Sequence, residues 1–355
     1  MKVLVLGGTG AMGVHLVKLL ADKNIETFVT SRSAILSEEN ITYIQGNAIE
    51  LDFLHSLLKE RWDAIVDFMV YTTPIFKQRM GAFLNATDQY VFISTARVYA
   101  ETKNLITENS TRLIETSKDK TFLATDEYSL TKARQENLLM ESGRKNWTII
   151  RPYITYSSDR LQLGVLEKED WLYRALKGRT IVFSEDIFTK RSTITFGLDV
   201  SKGIADIIGK RNAIAQSFHI TNNTSNTWEE VLNVYLSVLE KHLGKRPKVL
   251  LQNLNDFFEH HPEKYQVYYD RMYNREFDNT KISEFTNPEK FTKIEEGLKN
   301  CIEDFTKKPS YKNIYWRKEA LRDRKTKEHT SLTEISGTKN KIRYLVFRYL
   351  KNINF

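Results

Sequence analysis

A tyrosine and a lysine four residues apart, Tyr128 and Lys132 in the segment YSLTK, share a face of any helix that carries them. An ammonium beside a phenol stabilises the phenolate, more so with an oxidised nicotinamide nearby. A hydroxyl whose free pKa is about 10 can then trade a proton with a substrate hydroxyl near neutral pH. Thr95 follows the strand-like run Tyr90–Ile93 and offers a second hydroxyl to hold the same substrate oxygen. Such a set moves protons only, so a redox reaction needs a nucleotide, and the N-terminus supplies a place for one. KVLVLGGTGAMG, residues 2–13, reads as a buried strand, a glycine turn and the start of a helix with Met12, Leu16, Leu19 and Leu20 on one face. Gly7 makes the turn, Gly10 admits a phosphate to the backbone, and Gly13 lets the helix close on the strand. The N–H groups of Ala11 and Met12 and the helix dipole face the pyrophosphate of a dinucleotide.

The elements that must position these residues read as a parallel α/β sheet. Strands are predicted at Glu26–Thr30, Ile41–Gln45, Ala64–Phe68, Tyr90–Ile93 and Trp147–Ile150, with amphipathic stretches such as Leu51–Leu58 between them and a helix around Glu127–Met140. The second strand ends beside the adenosine ribose. An acidic residue there would bind the 2′-hydroxyl of NAD, but the chain has Ser31-Arg32-Ser33, which suits a 2′-phosphate and favours NADP over NAD.

Size and composition bound the rest. The 355 residues suffice for a large core. Cys301 is the sole cysteine, which excludes an intramolecular disulfide and points to a reducing, cytoplasmic compartment. No apolar run reaches a membrane span and no secretory signal is visible. The seven histidines lack metal-ligand spacing, so no metal is expected; His260-His261 reads as a solvated turn before Pro262. From Lys307 onward 14 Lys and Arg face four acids, so the net charge of +8 belongs to the tail and the body is near neutral.

Taken together, GGTGAMG at 7–13, ISTARVYA at 93–100, YSLTK at 128–132 and IIRPYITYS at 149–157 resemble an extended short-chain dehydrogenase/reductase of the nucleotide-sugar epimerase/dehydratase/ketoreductase group. Weaker echoes are TFGLDVSKGI at 195–204, NTWEEVL at 226–232 and FDNTKI at 277–282. The resemblance implies a Rossmann-type doubly wound parallel sheet over residues 1–152. It also implies a smaller interleaved substrate lobe over 153–306 with returns to the sheet. Thr95, Tyr128 and Lys132 become the catalytic set, with Gly7, Gly10, Ala11, Met12, Gly13, Ser31, Arg32, Tyr128 and Lys132 on the cofactor. Asn47 stands where the family often has an aspartate near the adenine. Trp171, Arg174, Arg191 and Arg271 are candidates for the sugar and diphosphate. The family also implies a nucleotide-sugar substrate and a homodimer.

The reaction is narrowed by a departure. Dehydratases of the group carry Asp-Glu after the catalytic Thr; here Ala96-Arg97 follow, which argues against dehydration. A 4-ketoreductase using NADPH, in surface polysaccharide or glycan synthesis, is expected, with a 4-epimerase that retains NAD as the alternative. A non-catalytic NADP sensor or an RNA-binding relative is more distant, and no nucleic-acid partner is expected. The tail, residues 307–355, ends in Lys339–Phe355 with apolar residues at helical spacing and no acids. Such a helix suits peripheral contact with the inner, anionic face of a membrane, or docking on the protein's own body or a second subunit.

Overall fold

Alternate residues of Val3-Leu4-Val5-Leu6 enter different apolar layers, as side chains on a strand must. Val3 and Val5 pack with Leu16, Val17, Leu20, Val200 and Ile204 on one face of the sheet. Leu4 and Leu6 pack with Leu54, Phe76, Phe83 and Leu139 on the other. A strand covered on both sides in this way is what a parallel sheet between two helical layers requires.

The computed structural model describes residues 1–350. Seven parallel strands form the sheet: β1 (Lys2–Leu6), β2 (Glu26–Ser31), β3 (Ile41–Gln45), β4 (Trp62–Asp67), β5 (Thr87–Ile93), β6 (Trp147–Pro152) and β7 (Gln216–Ile220). Their order is β7-β6-β5-β4-β1-β2-β3. The order reverses between β1 and β4, the place where open α/β sheets bind ligands beyond their carboxyl ends. Helices α1 (Gly13–Asp22), α2 (Leu51–Leu57), α3 (Thr73–Ala86), α4 (Tyr128–Met140) and α5 (Gly197–Ile207) accompany it. Helix α3 has Pro74 in its first turn, where a missing N–H costs nothing, and buries Phe76 and Phe83.

The chain divides into two units. Unit 1 comprises residues 1–156, 193–225 and 275–294; unit 2 comprises 157–192, 226–274 and the described residues from 295 on. The chain therefore leaves and re-enters unit 1 twice, and the first exit falls a few residues past β6.

Unit 2 contains α6 (Trp228–Leu243), α7 (Trp316–Thr326) and α8 (Thr338–Tyr349). Thr227 and Glu230 form a capping box at the start of α6, and Gly244 ends it in the left-handed conformation. Tyr173, Trp316, Ala320, Ile335 and Tyr344 make a small apolar core here, so the tail is folded into this unit. The tail pattern continues to Phe355, but residues 351–355 lie outside the described residues. No helix among the described residues is long and apolar enough to cross a membrane.

The solvated turn expected at His260-His261 is instead buried. Burial lowers both imidazoles, His261 to about 4 and His260 well below its usual value, with nearby Lys318 and Arg322 adding to the shift. A group whose folded pKa is depressed takes up its proton more readily when unfolded. Stability is full above the unfolded value of about 6.5 and falls as pH drops through the range down to the folded value. Thermal melts followed by unit 2 tryptophan fluorescence should therefore show Tm declining below about pH 6.5, and a His260→Asn/His261→Asn double variant should flatten that decline.

Candidate active site

The glycine turn joins β1 to α1. Gly7 sits at φ +70°, a conformation open to glycine and strained for other residues, and a side chain there would press on Met69 Sδ. At Gly13 a Cβ would lie 2.6 Å from the Gly8 carbonyl oxygen, so only hydrogen allows the helix to start this close to the turn. Around Gly10 the nearest such neighbour is 4.0 Å away, which leaves open space above the backbone. Helix α1 begins with no side-chain cap at Met12. An uncapped helix start beside an open glycine is suited to a phosphate. Gly8, which sequence reasoning passed over, is also required: a Cβ there would strike Val5 and Val29.

At the end of β2, Ser31 is buried and its Oγ accepts from Ser33 N–H at 3.2 Å, while Arg32 is exposed. Asn47 closes the turn into α2. Its Oδ1 accepts from Ile49 N–H at 3.2 Å and its Nδ2 donates to Glu50 at 3.1 Å. Its side-chain amide is thus engaged locally on both ends.

The three residues expected from sequence to move the proton, Thr95, Tyr128 and Lys132, lie where β5 meets α4. Lys132 is buried, and its Nζ donates to the Ile93 carbonyl at 2.8 Å while lying 4.5 Å from the Phe92 ring centre. This one bond ties the first turns of α4 to the end of β5, two residues before Thr95. Burial lowers the ammonium's pKa to about 8, against the opposing pull of Asp67 and Glu136. Thr95 is buried, and its Oγ1 accepts from Arg97 N–H at 3.2 Å, capping the short turn Ala96–Val98. That bond uses an acceptor lone pair and leaves the hydroxyl hydrogen's role as a donor intact. Tyr128, the first residue of α4, is 37% exposed, the least buried of the three.

The buried face of α4 is mixed: Ser129, Thr131, Lys132, Gln135 and Glu136 are buried alongside Leu130, Ala133 and Leu139. Tyr128, Lys132 and Glu136 follow at four-residue intervals on one stripe. Glu136 is fully buried and accepts from Ser94 Oγ at 2.6 Å, from Arg151 Nε and Nη2 at 2.8 Å each, and from Arg112 Nη1 at 3.1 Å. Asp67, at the end of β4, accepts from Tyr90 Oη at 2.7 Å and Met69 N–H at 2.9 Å; burial raises its pKa despite those bonds.

Two residues not read as functional from sequence emerge beside this set. Arg97 places its guanidinium 5.6 Å from the Tyr128 ring centre and pairs with Glu127, which in turn caps α4 through Ser129 N–H at 2.6 Å. Glu136 with Arg151 clamps α4 to β6. Its spacing from Lys132 was the one signal in the sequence.

The substrate candidates fall in unit 2. Trp171 is fully buried and stacked on Tyr235 at 4.6 Å, and its indole N–H donates to the Leu161 carbonyl at 3.1 Å. It is a packing residue, with its only donor engaged. Arg174 is buried among Glu319, Asp323 and Glu328 and holds the tail. Arg271 is buried against Asp270 and the Gly164 carbonyl. Arg191 is half-buried on a two-residue strand paired with Asn226–Thr227.

Known proteins agree with this architecture. The family described as Male sterility protein matches residues 79–186, which span β5, the Thr95 turn and α4. No curated protein matches the chain. Among solved structures, epimerase Mth375 from Methanothermobacter thermautotrophicus superposes with a TM-score of 0.67 at 17% identity, covering 86% of this chain and 92% of that one. UDP-glucuronic acid 4-epimerase from Bacillus cereus, in complex with NAD, gives 0.63 at 17% over 86% and 98%. The Bordetella bronchiseptica enzyme WbmH, in complex with NAD+, gives 0.66 at 14% over 87% and 99%. At these identities the likeness establishes the fold alone, a Rossmann-type sheet of parallel strands flanked by helices.

Proposed function

We propose that the chain is an NAD(P)-dependent oxidoreductase that acts at C4 of a nucleotide-activated hexose. The observation that carries this reading is the Lys132–Ile93 bond: it sets the Tyr-Lys stripe of α4 at the end of β5, beside Thr95 and in the same unit as the glycine turn. The open Gly10 backbone and the uncapped start of α1 fit a dinucleotide pyrophosphate. The nucleotide, when bound, supplies or accepts the hydride at C4. The phenol of Tyr128 gives a proton to the C4 oxygen as the ketone becomes an alcohol, and takes it back in reverse. Thr95 donates a hydrogen bond to that oxygen, and Lys132 supplies the positive charge that favours the phenolate left behind.

Net reduction with NADPH is our first reading, because Ser31 and Arg32 occupy the end of β2 in place of an acid. A 4-epimerase is the second, favoured by the solved neighbours, among them the Bacillus cereus enzyme seen with UDP-glucuronic acid and NAD. Release and identification of nucleotide from the purified protein separates them. Retained NAD supports epimerisation; a site that takes up NADPH supports reduction.

The guanidinium itself gives a sharper check. If Arg32 pairs with a 2′-phosphate, Arg32→Ala should weaken NADPH binding by about 10–100-fold, the range for a charge-assisted bond, and leave NADH binding unchanged. Equal effects on both nucleotides would remove the preference for NADP.

A further inference from the structure

Helix α8 turns one face inward and leaves another uncovered. Tyr344 is buried, its hydroxyl donating to Asp323 at 2.6 Å and accepting from Thr330 N–H at 2.7 Å. Phe347, next along on that side, packs against the same small core. Ile342, Leu345 and Tyr349 follow at three- and four-residue steps on the opposite side, and they are 57%, 38% and 61% exposed. Leu350, the extended residue that ends the helix, is exposed as well, at 53%.

The charges around this stripe have been sorted by folding. All four acids of the tail have partners inside unit 2. Glu319 and Asp323 are buried on Arg174, Glu328 accepts from Thr180, and Glu334 pairs with Arg179 and Tyr173. Several of the tail's bases are likewise neutralised: Lys318 by Glu263, Arg322 by Asp170, and Lys325 by Asp256 and Glu259. Lys339, Lys341 and Arg343 are not; among the described residues none of them lies in an ion pair with a carboxylate. They stand on α8 itself, a helix without a single acid. The result is an apolar row bordered by unneutralised cations, presented by a helix that is itself firmly anchored.

We propose that the exposed face of α8 docks on an anionic lipid bilayer surface, with Ile342, Leu345, Tyr349 and Leu350 entering the headgroup boundary and Lys339, Lys341 and Arg343 engaging lipid phosphates. A second copy of the chain would cover the row equally well but would bring three cations against three. An anionic surface matches both features at once. The proposal concerns unit 2 alone and does not depend on the chemistry assigned to unit 1.

The test is co-sedimentation of the full chain with phosphatidylcholine vesicles, with and without phosphatidylglycerol. Binding is expected only to the anionic vesicles, and raised salt should weaken it. Lys339→Glu/Lys341→Glu/Arg343→Glu should reduce it on the order of 100-fold, from the contribution of each base near such a surface. Ile342→Asp/Leu345→Asp should abolish it. Both variants change side chains at the surface, Lys341 half-buried and the others exposed, so unchanged Tm and unchanged activity in vesicle-free solution serve as controls. The proposal is overturned if wild-type protein ignores anionic vesicles, if Ile342→Asp/Leu345→Asp binds as wild type does, or if that variant splits an oligomer, which would assign the stripe to a second copy.

Discussion

Tyr128→Phe is expected to lower kcat by about 10²–10⁴-fold, the usual worth of a positioned general acid, while the dissociation constant for the nucleotide stays where it was. The variant removes one oxygen from a side chain that is partly exposed, so the packing of α4 is untouched. Lys132→Met should also abolish turnover, but with a different signature. Burial lowers the Lys132 ammonium to about 8. Its folded pKa lies below the unfolded value, so the charged form opposes folding at neutral pH, and that cost is relieved only as pH rises above the folded value. Lys132→Met should therefore melt at the same or a higher temperature than wild type while being inactive. For the wild type, activity that needs the ammonium should fall as pH rises through about 8. A pH–rate profile flat across that region would detach Lys132 from catalysis, and a Tyr128→Phe enzyme with normal kcat would end the oxidoreductase reading.

The contrast between what could and could not be read beforehand follows from how far each signal travels along the chain. The glycine turn, Tyr128 with Lys132, and the strand that precedes Thr95 are local patterns, and spacing alone exposes them. Helix α4 as a whole is harder, because five of its eight buried residues, Ser129, Thr131, Lys132, Gln135 and Glu136, are of types that a hydropathy pattern assigns to solvent. Only the partners reveal the inward face. Arg151 and Arg112 meet Glu136, and the Ile93 carbonyl meets Lys132, across 15 to 39 residues of sequence. The two returns to unit 1, at 193–225 and 275–294, are equally non-local. The first brings β7 to the edge of the sheet and α5 against the glycine turn, where Ser201 Oγ donates to the Met12 carbonyl at 2.8 Å. Arg97 illustrates a third kind of limit. Its type argued against dehydration, whereas its place over the Tyr128 ring depends on a turn geometry that no spacing rule contains.

Arg174→Met is expected to be the most destabilising single change in unit 2, and it shows why the basic tail is no appendage. Arg174 Nη1 donates to Glu319 and to Asp323 at 2.8 Å each, Nη2 to Glu328 at 3.0 Å, and Nε to the Thr180 carbonyl at 2.7 Å. Methionine fills much of the same volume but leaves two buried carboxylates without their principal cation. Removing one partner from a buried ion pair costs about 3–5 kcal/mol, because the charge left behind is neither hydrated nor compensated. Burial already raises the pKa of Glu319 against the pull of Arg174, so loss of the arginine pushes it further toward the neutral acid. Partial rescue is then expected at lower pH, where protonation removes the stranded charge. A Glu319→Gln/Arg174→Met double variant should likewise recover stability at neutral pH. Denaturant melts of the three proteins provide the measurement. If Arg174→Met melts like wild type, α7 is held by Trp316, Ala320 and its other ion pairs, and the charges around Arg174 are incidental. The same reasoning bears on truncation: cutting before α7 would strand Arg174 as surely as the substitution strands Glu319. The outer face of α8 has to be probed by single side chains rather than by removing the tail.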